Sequence, residues 1–312
     1  MSKKPKLNFS SLFGLLLLVF SLWTINHELR EYNYRDVLNN LAAIPKSLLI
    51  ASIGLTILGY FAIALYDILG FRYIGFSLSW KKIVFTNFIS SVFSNTIGFA
   101  LLTGSAIRYR FYSNWGISPF AIAQLIAFVN FTFWLGMFAL AGFVFFVNPL
   151  TIPTQLHLPF TTVRPIGVIF LLLIIVYLLG SLIIKKPLRF RSHGFKFPSL
   201  KISLAQIAIS SCDWIFAAAV LYVLLPTNIS LSYLNFLGIY LLAMFAGVVS
   251  NVPGGLGVFE TVVLLILSSQ VSAAAILGSL VAYRGVYYFL PFIFATALLV
   301  KYELPQLKSI KK

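Results

Sequence analysis

Long apolar runs dominate this sequence, and their length constrains the fold more than any other feature. Each of six runs is long enough to cross a membrane, which takes about 20 residues of helix. They occupy 9–25, 47–70, 117–147, 165–184, 203–225 and 271–300. Only 10% of the 312 residues are charged, whereas a soluble domain carries about 25%. The sequence therefore predicts an all-α polytopic membrane protein.

Two further apolar runs, 83–112 and 231–269, are interrupted by short polar and turn-forming segments. The first contains SNTIG at 94–98, and the second contains SNVPGGLGVFE at 250–260. Proline and glycine remove or loosen backbone hydrogen bonds, and hydrocarbon offers no water to replace them. Paired breaks of this kind mark binding sites in transporters. The candidate site residues at these breaks are Asn95, Asn251, Pro253, Gly254 and Gly255.

The two breaks belong to a repeat with an offset of 156 residues. At this offset, 9–25 falls on 165–181 and 117–147 falls on 273–303. We predict one membrane domain over 1–312, with repeat 1 at about 9–147 and repeat 2 at about 165–303. Three crossings and one hairpin in each half would make the two repeats inverted.

The basic residues predict how the chain lies in the membrane. The net charge of +16 is carried largely by short loops beside apolar runs, a pattern typical of anionic-lipid contact rather than nucleic-acid binding. Lysines near both ends predict cytoplasmic termini. The basic loop 185–202 also lies inside if 83–112 dips in from the cytoplasm and 231–269 dips in from outside. Eight plain spans are the alternative, so we expect six to eight transmembrane helices.

Apart from Arg110, interpreted as a headgroup or loop residue, five charged residues fall inside apolar runs, where ionisable groups are costly and usually functional. They are Asp67, Arg108, Asp213, Glu260 and Arg284. Each also has a purely structural interpretation. Asp213 and Arg284 could form an ion pair, and Glu260 could cap the helix that begins near Val258. Asp67 could reach the interface together with Arg72.

Catalytic chemistry finds little support in the sequence. The three histidines fall in loops on both sides of the membrane, so they cannot form one metal site. The single Cys212 excludes an internal disulfide. The sequence contains no Walker loop, no nucleophile elbow and no nucleotide fingerprint. We therefore expect no cofactor and no enzymatic activity.

Three motifs carry a family resemblance: PGGLGVFE at 253–260, GSAIRYRFY at 104–112 and the paired SN-x-x-G. Together they resemble the membrane part of bacterial lysylphosphatidylglycerol synthase/flippases, and in particular the stand-alone YbhN-like branch. The resemblance covers nearly the whole chain. The family residues it implies are Asp67, Arg108, Pro253, Gly254, Gly255 and Glu260. Asp213 and Arg284 are added here because of their depth in the apolar runs.

The resemblance implies movement of a polar-headgroup phospholipid, aminoacylated or otherwise modified, between leaflets. Lysyl transfer is not implied, because a separate soluble domain performs it in the two-part proteins. We expect a bacterial inner-membrane protein that contacts anionic or aminoacylated phospholipids. A second copy of the chain or a lipid-modifying enzyme is a further expected partner. The alternatives are an accessory protein of a membrane-embedded lipid- or glycosyl-transferase, and a porter of small solutes or ions.

Overall fold

The computed structural model describes residues 34–97, 100–151, 161–186, 188–190, 193–227, 229–250 and 253–309. In chain order the helices are α1 Tyr34–Ala43, α2 Lys46–Ile74, α3 Trp80–Ile97, α4 Ala100–Asn114, α5 Pro119–Val147, α6 Arg164–Ile183, α7 Leu200–Leu224, α8 Tyr233–Val249, α9 Val258–Leu267, α10 Ala273–Tyr283 and α11 Leu290–Ser309. A π-helical segment, Arg284–Phe289, joins α10 to α11. The prediction of a helical polytopic protein is confirmed.

A small antiparallel sheet departs from the all-α expectation. Strand β1, Leu188–Phe190, pairs with strand β2, His193–Phe195. Both lie in the basic loop between α6 and α7, outside the apolar runs. Backbone groups in such a loop are not satisfied by a transmembrane helix, and pairing the two strands satisfies part of them.

Five helical segments are long and apolar enough to cross a membrane. They are Lys46–Ile74, Pro119–Val147, Arg164–Ile183, Leu200–Leu224 and Ala273–Tyr302. They coincide with five of the six predicted spans. The remaining predicted span, 9–25, lies outside the described residues.

Local sequence explains where several of these helices begin and end. Ser118, Ser232 and Ser272 each precede a helix, and each side chain accepts a hydrogen bond from a backbone N–H of the first turn. Such caps satisfy donors that have no partner inside the helix. Helix α2 ends at Gly75 in the left-handed conformation (φ 74°), which glycine adopts without strain.

The two interrupted runs each fold into a helical hairpin. Helices α3 and α4 form the first hairpin, whose turn at 98–99 lies outside the described residues. Helices α8 and α9 pack together as the second hairpin, on either side of a tight turn at Pro253–Gly255. The ten residues of α9 span about 15 Å, and the hydrocarbon core is about 30 Å thick. Helix α9 is therefore too short to cross, as a re-entrant arm would be.

Close helix packing brings the two halves of the chain together. Helix α2 packs along α7, its equivalent at the offset of 156, and α5 packs on both. Gly136 of α5 sits directly against Ser210 of α7, where an added Cβ would overlap the serine. Small residues at such crossings matter because lipid supplies no hydrophobic drive for helices to associate. By contrast, α6 exposes large apolar side chains such as Leu172 and Val176, as a lipid-facing helix would.

The hairpin arrangement makes a prediction about topology. Cysteines at Ser79 and Asn114, exposed positions at the two ends of the first hairpin, should both react with an impermeant thiol reagent from the cytoplasmic side. Cysteines at Ser230 and Ser269, exposed beside the ends of the second hairpin, should both react from outside. The measurement needs a Cys212→Ser background, since Cys212 is exposed. Labelling of Ser79→Cys and Asn114→Cys from opposite sides would instead mean that the run 83–112 crosses the membrane once, as a plain span.

Candidate functional site

A buried ion pair joins the returning arm of the first hairpin to helix α2. Arg108 of α4 donates from Nε to Oδ2 of Asp67 at 3.1 Å and from one terminal nitrogen to Oδ1 at 3.1 Å. Asp67 is fully buried, and Arg108 is almost so. The two parallel contacts form the two-pronged geometry that arginine and a carboxylate favour. This pair therefore fixes the position of α4 against α2.

Neutral donors complete the shell around Asp67. Asn87 of α3 donates its amide to Oδ1 at 2.9 Å, and the Tyr112 hydroxyl of α4 donates to Oδ2 at 2.6 Å. Ser91 accepts a longer bond from Arg108 at 3.4 Å. Both carboxylate oxygens thus have several donors, which is what a buried charge requires. Both arms of the first hairpin are tied to a single carboxylate.

A second buried ion pair lies behind the break of the second hairpin. Arg284 donates to Oε1 of Glu260 from Nε at 2.9 Å and from a terminal nitrogen at 2.5 Å. Glu260 uses its other oxygen to accept the backbone N–H of Gly257 at 2.9 Å. Arg284 also donates to the carbonyl of Gly254 at 3.2 Å. The predicted helix cap by Glu260 is present, and the same side chain forms the ion pair.

The π-helical segment begins at Arg284 and places its guanidinium among aromatic rings. The guanidinium carbon lies 4.7 Å from the ring centroid of Tyr288 and 5.8 Å from that of Phe259. A π-turn interrupts the regular helical register and is common at functional positions. Stacking on aromatic faces suits arginine, because its planar charge is weakly hydrated.

Residues beside the turns of the two hairpins lie close together. A Cβ built on Gly254 would lie 3.8 Å from the carbonyl oxygen of Thr96 and 3.9 Å from that of Asn95. The Asn95 side chain also lies near the hydroxyl of Tyr60 on α2, and that hydroxyl donates to the carbonyl of Tyr287 at 3.1 Å. The breaks thus converge next to the π-helical segment.

The predicted site residues are brought together only in part. Asp67 and Arg108 form one ion pair, Glu260 and Arg284 form another, and Asn95 and Gly254 meet between them. Gly254 and Gly255 both have positive φ, at 64° and 63°. Pro253 begins the tight turn, and Asn251 lies outside the described residues.

Two structural interpretations of the charges prove wrong. Arg284 pairs with Glu260 and not with Asp213, whose carboxylate contacts the Tyr66 hydroxyl instead. Asp67 turns inward to Arg108 and does not reach the interface with Arg72. The reason is the same in both cases. In each case an arm of a hairpin supplies the partner: α4 brings Arg108 to Asp67, and α9 brings Glu260 to Arg284. Position along the sequence and depth in the membrane had suggested other partners.

Several residues of the site were not anticipated from sequence, although a signal exists for some of them. Asn87, Ser91 and Ser94 recur at spacings of four and three on α3, which places them on one helical face. All three are buried. Arg108 and Tyr112 share a face of α4 in the same way. A buried polar stripe of this kind in an apolar run indicates a partner charge, here Asp67.

Comparison with known proteins fits this arrangement. The family described as Lysylphosphatidylglycerol synthase TM region matches residues 11–295. The chain belongs to this family. An uncharacterised protein of Synechocystis sp. is 46% identical over 297 residues, which cover 94% of this chain and 91% of that protein.

Of two other relatives, one matches over most of its own length and the other over about a third of it. The inner membrane protein YbhN of Escherichia coli is 30% identical over 268 residues, covering 85% of this chain and 83% of YbhN. Phosphatidylglycerol lysyltransferase of Staphylococcus xylosus is 25% identical over 305 residues, covering 93% of this chain. The match takes up only 34% of that lysyltransferase. Such homology, together with the apolar helices, makes this chain a multi-pass membrane protein of the family.

Proposed function

We propose that this protein moves a phospholipid with a polar headgroup between the two leaflets of a bacterial inner membrane. The observation that carries the proposal is a pair of broken hairpins, each held by an arginine–carboxylate pair with little exposure, whose residues beside the turns lie close together. A phospholipid headgroup does not cross hydrocarbon unaided, because its charges lose their water. Opposed hairpins supply polar groups along the way.

Arginine gives this arrangement its preference for phosphate. The guanidinium groups of Arg108 and Arg284 each present two nitrogens to one carboxylate. A phosphate monoanion or diester offers oxygens in a similar geometry, so it can take the place of the carboxylate. We propose that the headgroup phosphate replaces the carboxylate of Asp67 or Glu260 as the partner of the guanidinium group. This exchange would release the hairpin arm that the ion pair holds.

The partners follow from the same chemistry and from the relatives. The substrate class is a phospholipid whose headgroup is anionic or aminoacylated, as the name of the phosphatidylglycerol lysyltransferases suggests. We infer no lysyl transfer by this chain, which spans about a third of those enzymes. A second copy of the chain or a lipid-modifying enzyme is its proposed protein partner. Cytoplasmic termini complete the proposal and follow from the basic loops.

Reconstitution into vesicles tests the proposal directly. Vesicles carry fluorescent phosphatidylglycerol, its lysyl derivative or phosphatidylcholine, and an impermeant quencher reports the fraction exposed on the outer leaflet. Protein-containing vesicles should expose the inner-leaflet reporter much faster than protein-free vesicles. Flux of soluble glycerol phosphate, measured in the same vesicles, distinguishes a small-solute porter. Flux of that solute without lipid movement would contradict the proposal.

Replacing Arg108 with lysine should slow lipid movement about tenfold or more. Lysine keeps the charge but cannot make the paired contact, and a charge-assisted hydrogen bond contributes about 1.5–3 kcal/mol, where about 1.4 kcal/mol is a factor of ten in rate. The initial rate of reporter exposure is the measurement. Arg72→Lys is the matched control, because Arg72 is an exposed arginine near the end of α2. An equal loss in both variants would contradict a specific role for Arg108.

A further inference from the structure

Asp213 differs from the other buried carboxylates because one of its oxygens has no partner. Its Oδ2 accepts a hydrogen bond from the Tyr66 hydroxyl at 2.8 Å. Its Oδ1 is buried and has no hydrogen-bond partner. A buried polar atom without a partner is uncommon in native structures and calls for an explanation. The side chain as a whole is only 5% exposed.

No arginine or lysine neutralises Asp213 within the part of the chain that the structure describes. The two arginines of the candidate site pair with other carboxylates: Arg108 pairs with Asp67 and Arg284 pairs with Glu260. A buried carboxylate at this depth is expensive to keep charged when no counter-ion among the described residues pairs with it. An added proton on Oδ1 removes the charge.

The groups that face Asp213 are tyrosines rather than charges. Helix α2 contributes Tyr66 and Tyr60, helix α8 contributes Tyr240, and the π-helical segment contributes two more. The tyrosines within electrostatic range of Asp213 are Tyr60, Tyr66, Tyr240, Tyr287 and Tyr288. Of the other helices packed on α7, α6 brings Tyr177, which bonds Gln206, and α10 brings Tyr283, whose hydroxyl bonds that of Tyr240. Helix α5 receives the Trp214 N–H at its Phe133 carbonyl. On α7 itself, Cys212 is exposed.

The position of Asp213 links it to the first ion pair. Asp213 lies thirteen residues after Leu200, about 20 Å along α7 by the helical rise and so near mid-membrane. Its hydrogen-bond donor Tyr66 directly precedes Asp67 in α2. A change at Asp213 that alters the Tyr66 contact therefore acts on the same helical turn that holds the first hairpin.

We propose that Asp213 is a proton-binding site that couples lipid movement to a proton gradient. A proton from the aqueous phase adds to a lone pair of Oδ1 and converts the carboxylate to a neutral acid. Oδ2 becomes the carbonyl oxygen and accepts a weaker hydrogen bond from Tyr66, because the acceptor is no longer charged. Release of the proton to the opposite side restores the charge and the stronger bond. This inference rests on the proposed function for its transport role, while the proton site itself can be detected without transport.

Infrared difference spectroscopy of the protein in lipid nanodiscs tests the proton site. Stepping the pH should reveal a carbonyl band of a buried, protonated carboxylic acid that shifts in deuterium oxide. The band should be absent in Asp213→Asn and present in Cys212→Ser, its neighbour in sequence. Tyr66→Phe should move it to higher frequency, because the carbonyl loses its hydrogen-bond donor. An unchanged band in Asp213→Asn, or no titrating band in the unaltered protein, would overturn the proposal.

A transport measurement then tests the coupling. In vesicles with an imposed pH gradient, the unaltered protein should move the phosphatidylglycerol reporter at a rate that depends on the gradient. Asp213→Asn should lose this dependence, and Asp213→Glu should retain it. If the reporter never moves in any vesicle, the proposed function fails while the infrared result still decides the proton site. Reporter movement that ignores the gradient in the unaltered protein would refute the coupling alone.

Discussion

Replacing Asp67 with alanine is expected to lower the free energy of unfolding by about 3–5 kcal/mol, because it leaves the buried Arg108 guanidinium without its counter-ion. Arg108 has little exposed surface from which to recruit water. Asn87 and Tyr112 lose their acceptor in the same step, and each unsatisfied donor adds to the loss. Denaturant unfolding in mixed micelles, followed by tryptophan fluorescence, measures the change.

Two further variants show whether the lost charge is the cause. Arg72→Ala, an exposed arginine near the end of the same helix, should change the free energy of unfolding by less than about 1 kcal/mol. The double variant Asp67→Leu with Arg108→Met should recover much of the stability, since apolar replacement of a whole buried pair is often neutral. Equal stabilities of Asp67→Ala and the double variant would mean that shape, and not charge, is lost.

The membrane-spanning helices could be predicted from sequence because hydrocarbon imposes a simple rule on length and composition. A run such as 165–184 has few alternatives to the helix Arg164–Ile183 that it forms. The breaks were equally visible, since proline and three glycines between 253 and 257 cannot continue a regular helix. The structure adds cap residues such as Ser118, which mark individual boundaries.

The partners of the buried charges could not be predicted in the same way. Depth along a helix gives the height of a residue in the membrane but not the direction in which its side chain points. Asp213 and Arg284 both lie deep, yet Arg284 turns toward Glu260, which follows the second break. The π-helical segment that starts at Arg284 alters the helical register. The local sequence contains no feature from which this segment could be predicted.

The candidate site was therefore predicted as a set of residues but not as a set of pairs. Asp67 and Arg108 are 41 positions apart and become neighbours only because α4 returns along α2. The polar stripe on α3 could have indicated that a charge lies opposite. The unpartnered oxygen of Asp213, by contrast, depends on where the two arginines go, and only the packed structure determines that.

Replacing Gly255 with valine should slow lipid movement about tenfold or more, because the turn of the second hairpin depends on this glycine. Its φ is 63°, a conformation that costs a branched side chain about 1–3 kcal/mol, and about 1.4 kcal/mol corresponds to a factor of ten in rate. An added Cβ would also lie only 3.3 Å from the Cα of Gly247 in α8. The arms of the hairpin would have to separate.

Two glycines elsewhere in the chain distinguish the causes of this effect. Gly116 has φ 81° with no atom within 4 Å of an added Cβ, so Gly116→Val introduces backbone strain without a close approach. Gly54, inside α2, also has open space at that position and no positive φ, so Gly54→Val introduces neither. We expect transport to fall far more in Gly255→Val than in Gly116→Val, and to be nearly unchanged in Gly54→Val. Equal loss in Gly255→Val and Gly116→Val, with both proteins folded, would mean that backbone strain alone slows transport and that the packing of the hairpin turn against α8 is not required.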